Sequence, residues 1–391
     1  MTDHRLDALV RPHLDRLVAF RRDLHRHPEL RFEEKRTAGK VEEALRGLGL
    51  ETRRFAGTGV VADLGGAGPA VALRGDMDGL PLQEENRFEH RSTVDGRMHA
   101  CGHDGHTTIL LGTALALHAA RDRLKGRVRF LFQPAEEGGA GARRMAEEGA
   151  LEGVDRVFGV HNWPVFPVGT MGVRAGPMMA AAALFEMKVV GRGGHGSQPQ
   201  EAKDPILAAA HLVAQAQSLV SRETHPLRPA VVTFGTIHGG TATNIIPDFV
   251  TLSGTIRTFD DAQADRLGAR LEEMGRAVCA ASGLSLEYRY ERYYPLTSNH
   301  AADAALVREV GEEVFGAGRV SEEGLPTMGA EDFSFLLQRR PGAYFFLGGR
   351  GEGRTNSMCH STTYDFNDDL ILPGIRVYLR IVERVLGCTL A

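Results

Sequence analysis

The residues most able to do chemistry sit in the segment 98–106, MHACGHDGH, where Cys101 and His103 are two apart and Asp104 and His106 follow at once. A thiolate and imidazoles suit zinc and other borderline-soft divalent ions. The intervening glycines let the backbone turn tightly enough for both heads to converge. A loop with a free thiol and solvated histidines is the plainer explanation. A second signal is 133–139, QPAEEGG, directly after the apolar run 128–132. Two adjacent carboxylates can divide labour there, one ligating a metal while the other takes a proton from an activated water. An exposed acidic turn would look the same. His161 closes the apolar run 157–160, and His360 lies in MCHSTTYDF, 358–366. These signals gain force together, because a parallel α/β sheet gathers the carboxyl ends of its strands on one edge, where active sites form. Spacing alone does not bring them together.

The elements that must position these residues are legible in outline. Apolar residues from Leu6 to Leu24 recur at spacings of three and four, as one buried helix face requires, and Pro28 ends the run. A second amphipathic helix is expected over 33–48. Strand-like runs at 59–64, 70–73, 128–132 and 156–160 alternate with helical stretches at 107–119 and 141–148, which implies an α/β layer with a largely parallel sheet. From residue 183 the pattern changes: strand 184–190, helix 206–220, strands 230–237 and 249–256, helix 262–281, strand 284–290. This β-α-β-β-α-β order is the ferredoxin-like split pattern. The α/β pattern then resumes, with helices at 301–315 and 370–385 around a strand at 343–347.

A chain of 391 residues suits two domains. Its 46 basic and 50 acidic residues leave a formal net charge of -4, without the basic stripe of a nucleic-acid binder. Nowhere do 18 uncharged apolar residues run together, so no membrane span is expected. Residues 1–7 lack the apolar run of a secretory signal. Four cysteines make no disulfide framework in a chain this long and point to a reducing cytoplasm.

Gly191–Gly196, GRGGHG, matches the dinucleotide pattern G-x-G-x-x-G. Pro199 and Pro205 delay the next helix, and no acidic residue stands about 20 positions on, so the nucleotide reading is rejected. Ser197 lacks the Gly-x-Ser-x-Gly setting of a serine hydrolase. Two rivals to a metal hydrolase stay open. One is a metal-independent cysteine amidase with Cys101 as nucleophile and His103 or His106 as base. The second is a non-catalytic metal-binding or sensor protein, against which the Glu136–Glu137 pair speaks.

The chain resembles the M20 metallopeptidase family, and within it the aminoacylase and hippurate-hydrolase branch. The stretches that carry this are 24–30, 74–81, 98–106, 133–139, 161–164, 191–197, 244–247, 328–333 and 364–368. The resemblance implies a zinc-exopeptidase-like catalytic domain over 1–182 and 294–391, with an inserted ferredoxin-like lid and dimerisation domain over 183–293. It implies two divalent metal ions (zinc, manganese, cobalt or nickel) held by Cys101, His103, Glu137, His161 and His360, with Glu136 as general base. His195 and Asn244 are then substrate-binding residues, and a homodimer or homotetramer would form through the lid. Asp76, Asp78 or Asp104 could orient the histidines from behind, or simply cap turns. The wider family has His-x-Asp where this chain has Asp76-Met77-Asp78, and a carboxylate where it has Cys101. That departure favours small N-acyl amino acids, hippurate-like or N-acetylated, over true peptides.

Overall fold

A computed structural model describes residues 4–352 and 356–391. Residues 1–3, part of the N-terminal stretch and of the first expected domain segment, lie outside the described residues, as do 353–355. The described chain divides into two compact units. One runs through Met178 and adds Ser298–Pro326 and the chain from Asp332 onward; the other is Met179–Thr297 with Thr327–Glu331.

The first unit is built on an eight-stranded sheet. At its centre Ala70–Asp76 is buried along its whole length, as a strand covered on both faces must be. It runs parallel to Arg127–Gln133 on one side and Arg156–Pro167 on the other, and Gly342–Arg350 continues the parallel set. Antiparallel strands close both margins: Gly59–Gly65 and Thr52–Phe55 at one, Met171–Gly172 at the other, beyond which Val320–Ser321 forms the edge. Phe130, Phe132, Phe158 and Phe345 are fully buried between sheet and helices, each contributing roughly 1.5–3 kcal/mol. His103–Ala119 is apolar nearly all round and correspondingly buried. It lies against Ala70–Asp76, Leu14–Arg26 and Ile371–Leu386.

The periodicity from Leu6 to Leu24 produces two helices rather than one. His4–Val10 and Leu14–Arg26 are separated by a 3-10 turn, Arg11–His13. Pro12 stands in that turn; it lacks the N–H a continuous helix would need.

The second unit carries a four-stranded antiparallel sheet in the order Ala230–Gly239, Phe249–Thr258, Ala181–Val190, Ser285–Tyr294. With helices Pro205–Ser221 and Asp261–Ala281 this is the ferredoxin-like split β-α-β topology. Each helix starts at an aspartate, Asp204 and Asp260, whose side chain accepts backbone N–H groups of the first turn. Leu212, Leu219, Leu267 and Leu271 bury their helices on one face of the sheet. Among the described residues, no helix is long and apolar enough to cross a membrane.

Candidate metal centre

The parallel sheet delivers its chemistry at one edge. Asp76 ends its strand level with Gln133 of the neighbouring strand, so the Glu136–Glu137 turn begins beside Asp76. His161 lies level with Phe346 on Arg156–Pro167. Cys101 and His103 come from the start of the helix His103–Ala119. Gly102 before it has φ 95°, and a Cβ there would run into Asn162 Oδ1. Only glycine lets that helix start so close to the strand. His360 comes from the loop ahead of Ile371–Leu386 and is itself left-handed at φ 68°, a conformation costing a non-glycine residue about 1–2 kcal/mol.

These side chains converge. Cys101, His103 and His161 offer ligand atoms within 4.8 Å of one another, and so do Cys101, Glu137 and His360. The two triads share Cys101. Glu136 falls in a third group, with His103 and Glu137. Cys101 Sγ is 3.3 Å from His161 Nε2. His360 Nε2 is 3.0 Å from Glu137 Oε1, yet that buried oxygen has no hydrogen-bond partner. The two atoms face each other without a bonding geometry, as ligands aimed at a common point do. His103 Nε2 is likewise buried without a hydrogen-bond partner, its nearest carboxylate oxygen being Asp76 Oδ2 at 3.7 Å. A buried polar atom left this way costs roughly 1–3 kcal/mol; a divalent cation would satisfy both.

The tautomers fit. His161 Nδ1 lies 2.5 Å from the carbonyl of Asn162 and donates to it, leaving Nε2 as the lone pair. Burial, reinforced by His106, holds this ring well below the ordinary histidine range, so it is the neutral imidazole that a ligand must be. His103 Nδ1 is 3.1 Å from Asp78 Oδ1. Burial opposes a charge on His103, but the Asp76 and Asp78 carboxylates outweigh it and raise the group to about 10. The cluster carries surplus negative charge, which a cation would answer in place of that proton. The Cys101 thiol is pushed well up by its hydrogen bond with Cys359, by burial, and by the carboxylates of Glu137 and Glu136. It would ionise on a metal, whereas a cysteine nucleophile needs the opposite shift.

The three aspartates take different parts. Asp78 accepts the backbone N–H groups of Glu136 (3.1 Å) and Glu137 (2.9 Å) as well as facing His103. Asp76 lies 2.7 Å from His106 Nδ1 and 2.5 Å from Arg74 Nη1. Arg74 together with His103 and His106 overcomes the effect of burial and holds Asp76 well below the carboxylate range. Asp76, His103 and His106 also lie close enough to hold an ion, but His106 Nε2 accepts the backbone N–H of Asn162 at 2.9 Å, which leaves that group braced rather than open. Asp104 turns away from these candidate donors. Its Oδ2 is 2.9 Å from His25 Nδ1 and 3.5 Å from Arg21.

Four supporting residues were given no role from the sequence, although His25, Arg74 and Asn162 lie in stretches that carry the resemblance. Arg74 bridges Asp76, Gln133 and Asp332. Asn162 ties His106 to the Tyr364 hydroxyl. Arg21 and His25 anchor Asp104. In the second unit, His195 and Asn244 line an open cleft of about 880 Å³ together with His238, Asp248 and Phe249. The Ser197 hydroxyl lies 2.8 Å from His195 Nδ1, and Gly196 N–H donates to the carbonyl of Asn244.

Comparison with known proteins points one way. Residues 72–384 match the family model described as peptidase family M20/M25/M40. The chain is 40% identical over 339 residues to the N-acetyl-L-cysteine deacetylase of Bacillus subtilis (strain 168), covering 86% of this chain and 81% of that protein. It is 39% identical over 378 residues to the IAA-amino acid hydrolase ILR1-like 2 of Arabidopsis thaliana, covering 95% of this chain and 85% of that protein. Among solved structures, the Bacillus subtilis YXEP protein, described as a dinuclear metal binding peptidase from the M20 family, superposes with a TM-score of 0.83 at 33% identity, over 97% of this chain and all of that one.

Proposed function

The chain belongs to the peptidase family M20/M25/M40, and from that premise we propose that it hydrolyses the amide bond of N-acyl amino acids using two divalent cations. One observation carries the reading. Donors spread from position 101 to position 360 close into two triads that share Cys101, with Glu136 beside them. The similar solved structure binds a dinuclear metal, and the donor set here suffices for two. Cys101, His103, Glu137, His161 and His360 are the proposed ligands.

Cations bound there would supply Lewis acidity, lowering the pKa of water toward ~7 and polarising the acyl carbonyl. Glu136 takes the proton of the attacking water and returns it to the departing amide nitrogen. Asp78 holds Glu136 and Glu137 by their N–H groups and His103 by its ring. One relative is named for an N-acetylated amino acid and another for an IAA-amino acid. An acyl group on an amino acid is common to both, which supports that substrate class. His195 and Asn244 are proposed to bind polar groups of the substrate. The unit that carries them is proposed to pair two copies of the chain. Its edge strand Ala230–Gly239 exposes Ile237, and the helix packed on that strand exposes Ile206 and Leu207.

The test is a panel of N-acetyl, N-benzoyl and indole-acetyl amino acids assayed on metal-loaded protein, beside Glu136→Gln. We expect turnover on at least one of these classes, and its loss in the variant with metal content retained. Wild-type rates from Glu136→Gln, or turnover by fully chelated protein, would overturn the reading.

A further inference from the structure

Glu34 stands at the N-cap of the helix Lys35–Gly47 yet makes no capping bond there. Glu29 does that work, its carboxylate accepting the N–H groups of Arg36 and Thr37 at 2.9 and 2.8 Å. The Glu34 side chain turns inward instead and is fully buried. Its Oε1 accepts the N–H of Phe32 at 3.0 Å and that of Ala135 at 2.9 Å, and its Oε2 accepts the Thr58 hydroxyl at 2.5 Å. Phe32 and Ala135 are both left-handed, at φ 62° and 55°, where side chains other than glycine are strained. Such conformations persist only where the surroundings hold them. Gly139 completes the fixture, since a Cβ there would stand 2.6 Å from the Ala135 Cβ and 2.9 Å from the Phe32 ring.

Ala135 is the residue before Glu136. Three successive N–H groups, of Ala135, Glu136 and Glu137, therefore end on two buried carboxylates, the first on Glu34 and the next two on Asp78. We propose that Glu34 is a positioning residue for Glu136, fastening the left-handed turn that aims the proton-carrying carboxylate. This rests on the role of Glu136 as the base. Burial, with the charge of Asp78, raises Glu34 to about 7.

The test follows hydrolysis of N-acetyl-L-cysteine by the metal-loaded protein. Glu34→Ala should lower kcat by about 10- to 100-fold, the penalty for misplacing a reacting group by an ångström or so, with KM and metal content unchanged. Glu34→Gln keeps a carbonyl oxygen for both N–H groups and should restore kcat to within a few-fold of wild type. Should Glu34→Ala fail to fold, Glu34→Asp carries the same test, because its shorter side chain cannot reach both N–H groups. Wild-type kcat in Glu34→Ala, a loss that follows metal loss, or a Glu34→Gln variant no better than Glu34→Ala would overturn the positioning role. Wild-type kcat in Glu136→Gln alone would instead overturn the mechanism beneath it.

Discussion

His103 and Asp104 are neighbours in sequence and both fully buried, yet they serve two charge clusters of opposite character. Asp104 faces a cluster built of ion pairs. His25 bridges Asp104 and Glu84, and Arg21 reaches Asp104, Asp365 and Asp368. Each charge there has a counter-charge supplied by the chain. His103 faces a cluster in which ligand atoms crowd together while its own Nε2 and Glu137 Oε1 have no hydrogen-bond partner. Buried charge is therefore no mark of a site by itself. Asp104 Oδ1 also lacks a hydrogen-bond partner, so what distinguishes the site is several donor atoms gathered within 4.8 Å of one another. The ion-paired cluster engages the first turn of the helix His103–Ala119 through Asp104.

That contrast can be broken by substitution. The largest effect is expected from Cys101→Ala, which removes the atom common to both triads; metal analysis should show both cations depleted and activity below detection. Asp78→Asn should cost about 10- to 100-fold in activity or metal affinity, as expected for a group that orients a ligand, with little change in the unfolding midpoint. Asp104→Asn should do the reverse. It removes one counter-charge from Arg21 and His25, which keep Asp365, Asp368 and Glu84, and should cost about 1.5–3 kcal/mol of stability in urea unfolding, while kcat of the folded, metal-loaded protein stays within a few-fold of wild type. If Asp104→Asn emptied the metal centre and spared stability, the division between the two clusters would be wrong.

The smallest effect is a pH trend. Burial opposes a charged His25, but Asp104 and Glu84 outweigh it and raise the group to about 9. A histidine raised on folding contributes stability that is complete below its unfolded value of about 6.5 and is lost as pH rises through about 9, on the order of 3 kcal/mol in all. Unfolding free energy should fall across that window in wild type, and the slope should flatten in His25→Gln.

Much of the fold and site is legible in the sequence because it rests on local pattern. The run 98–106, the paired glutamates after a strand and the histidine closing another announce donors at strand ends, and period-2 and period-3.6 patterns announce the elements. What is not legible depends on contacts far apart in the chain. Glu34 reads as an ordinary surface acid near a helix start, and only folding shows it under Ala135. Arg21 and His25 sit in an amphipathic pattern that gives no hint of their counter-charges at 84, 104, 365 and 368. Nor does Thr327–Glu331 signal that it belongs with the second unit. The 3-10 turn at Arg11–His13 could have been read from Pro12, whose missing N–H interrupts a helix that apolar spacing alone would continue.

The most direct measurement is an anomalous difference map from a crystal grown with manganese. Two peaks should appear within coordination distance of Cys101 Sγ, one also reached by His103 and His161, the other by Glu137 and His360. A peak elsewhere, or none at Cys101 in fully loaded protein, would contradict the account.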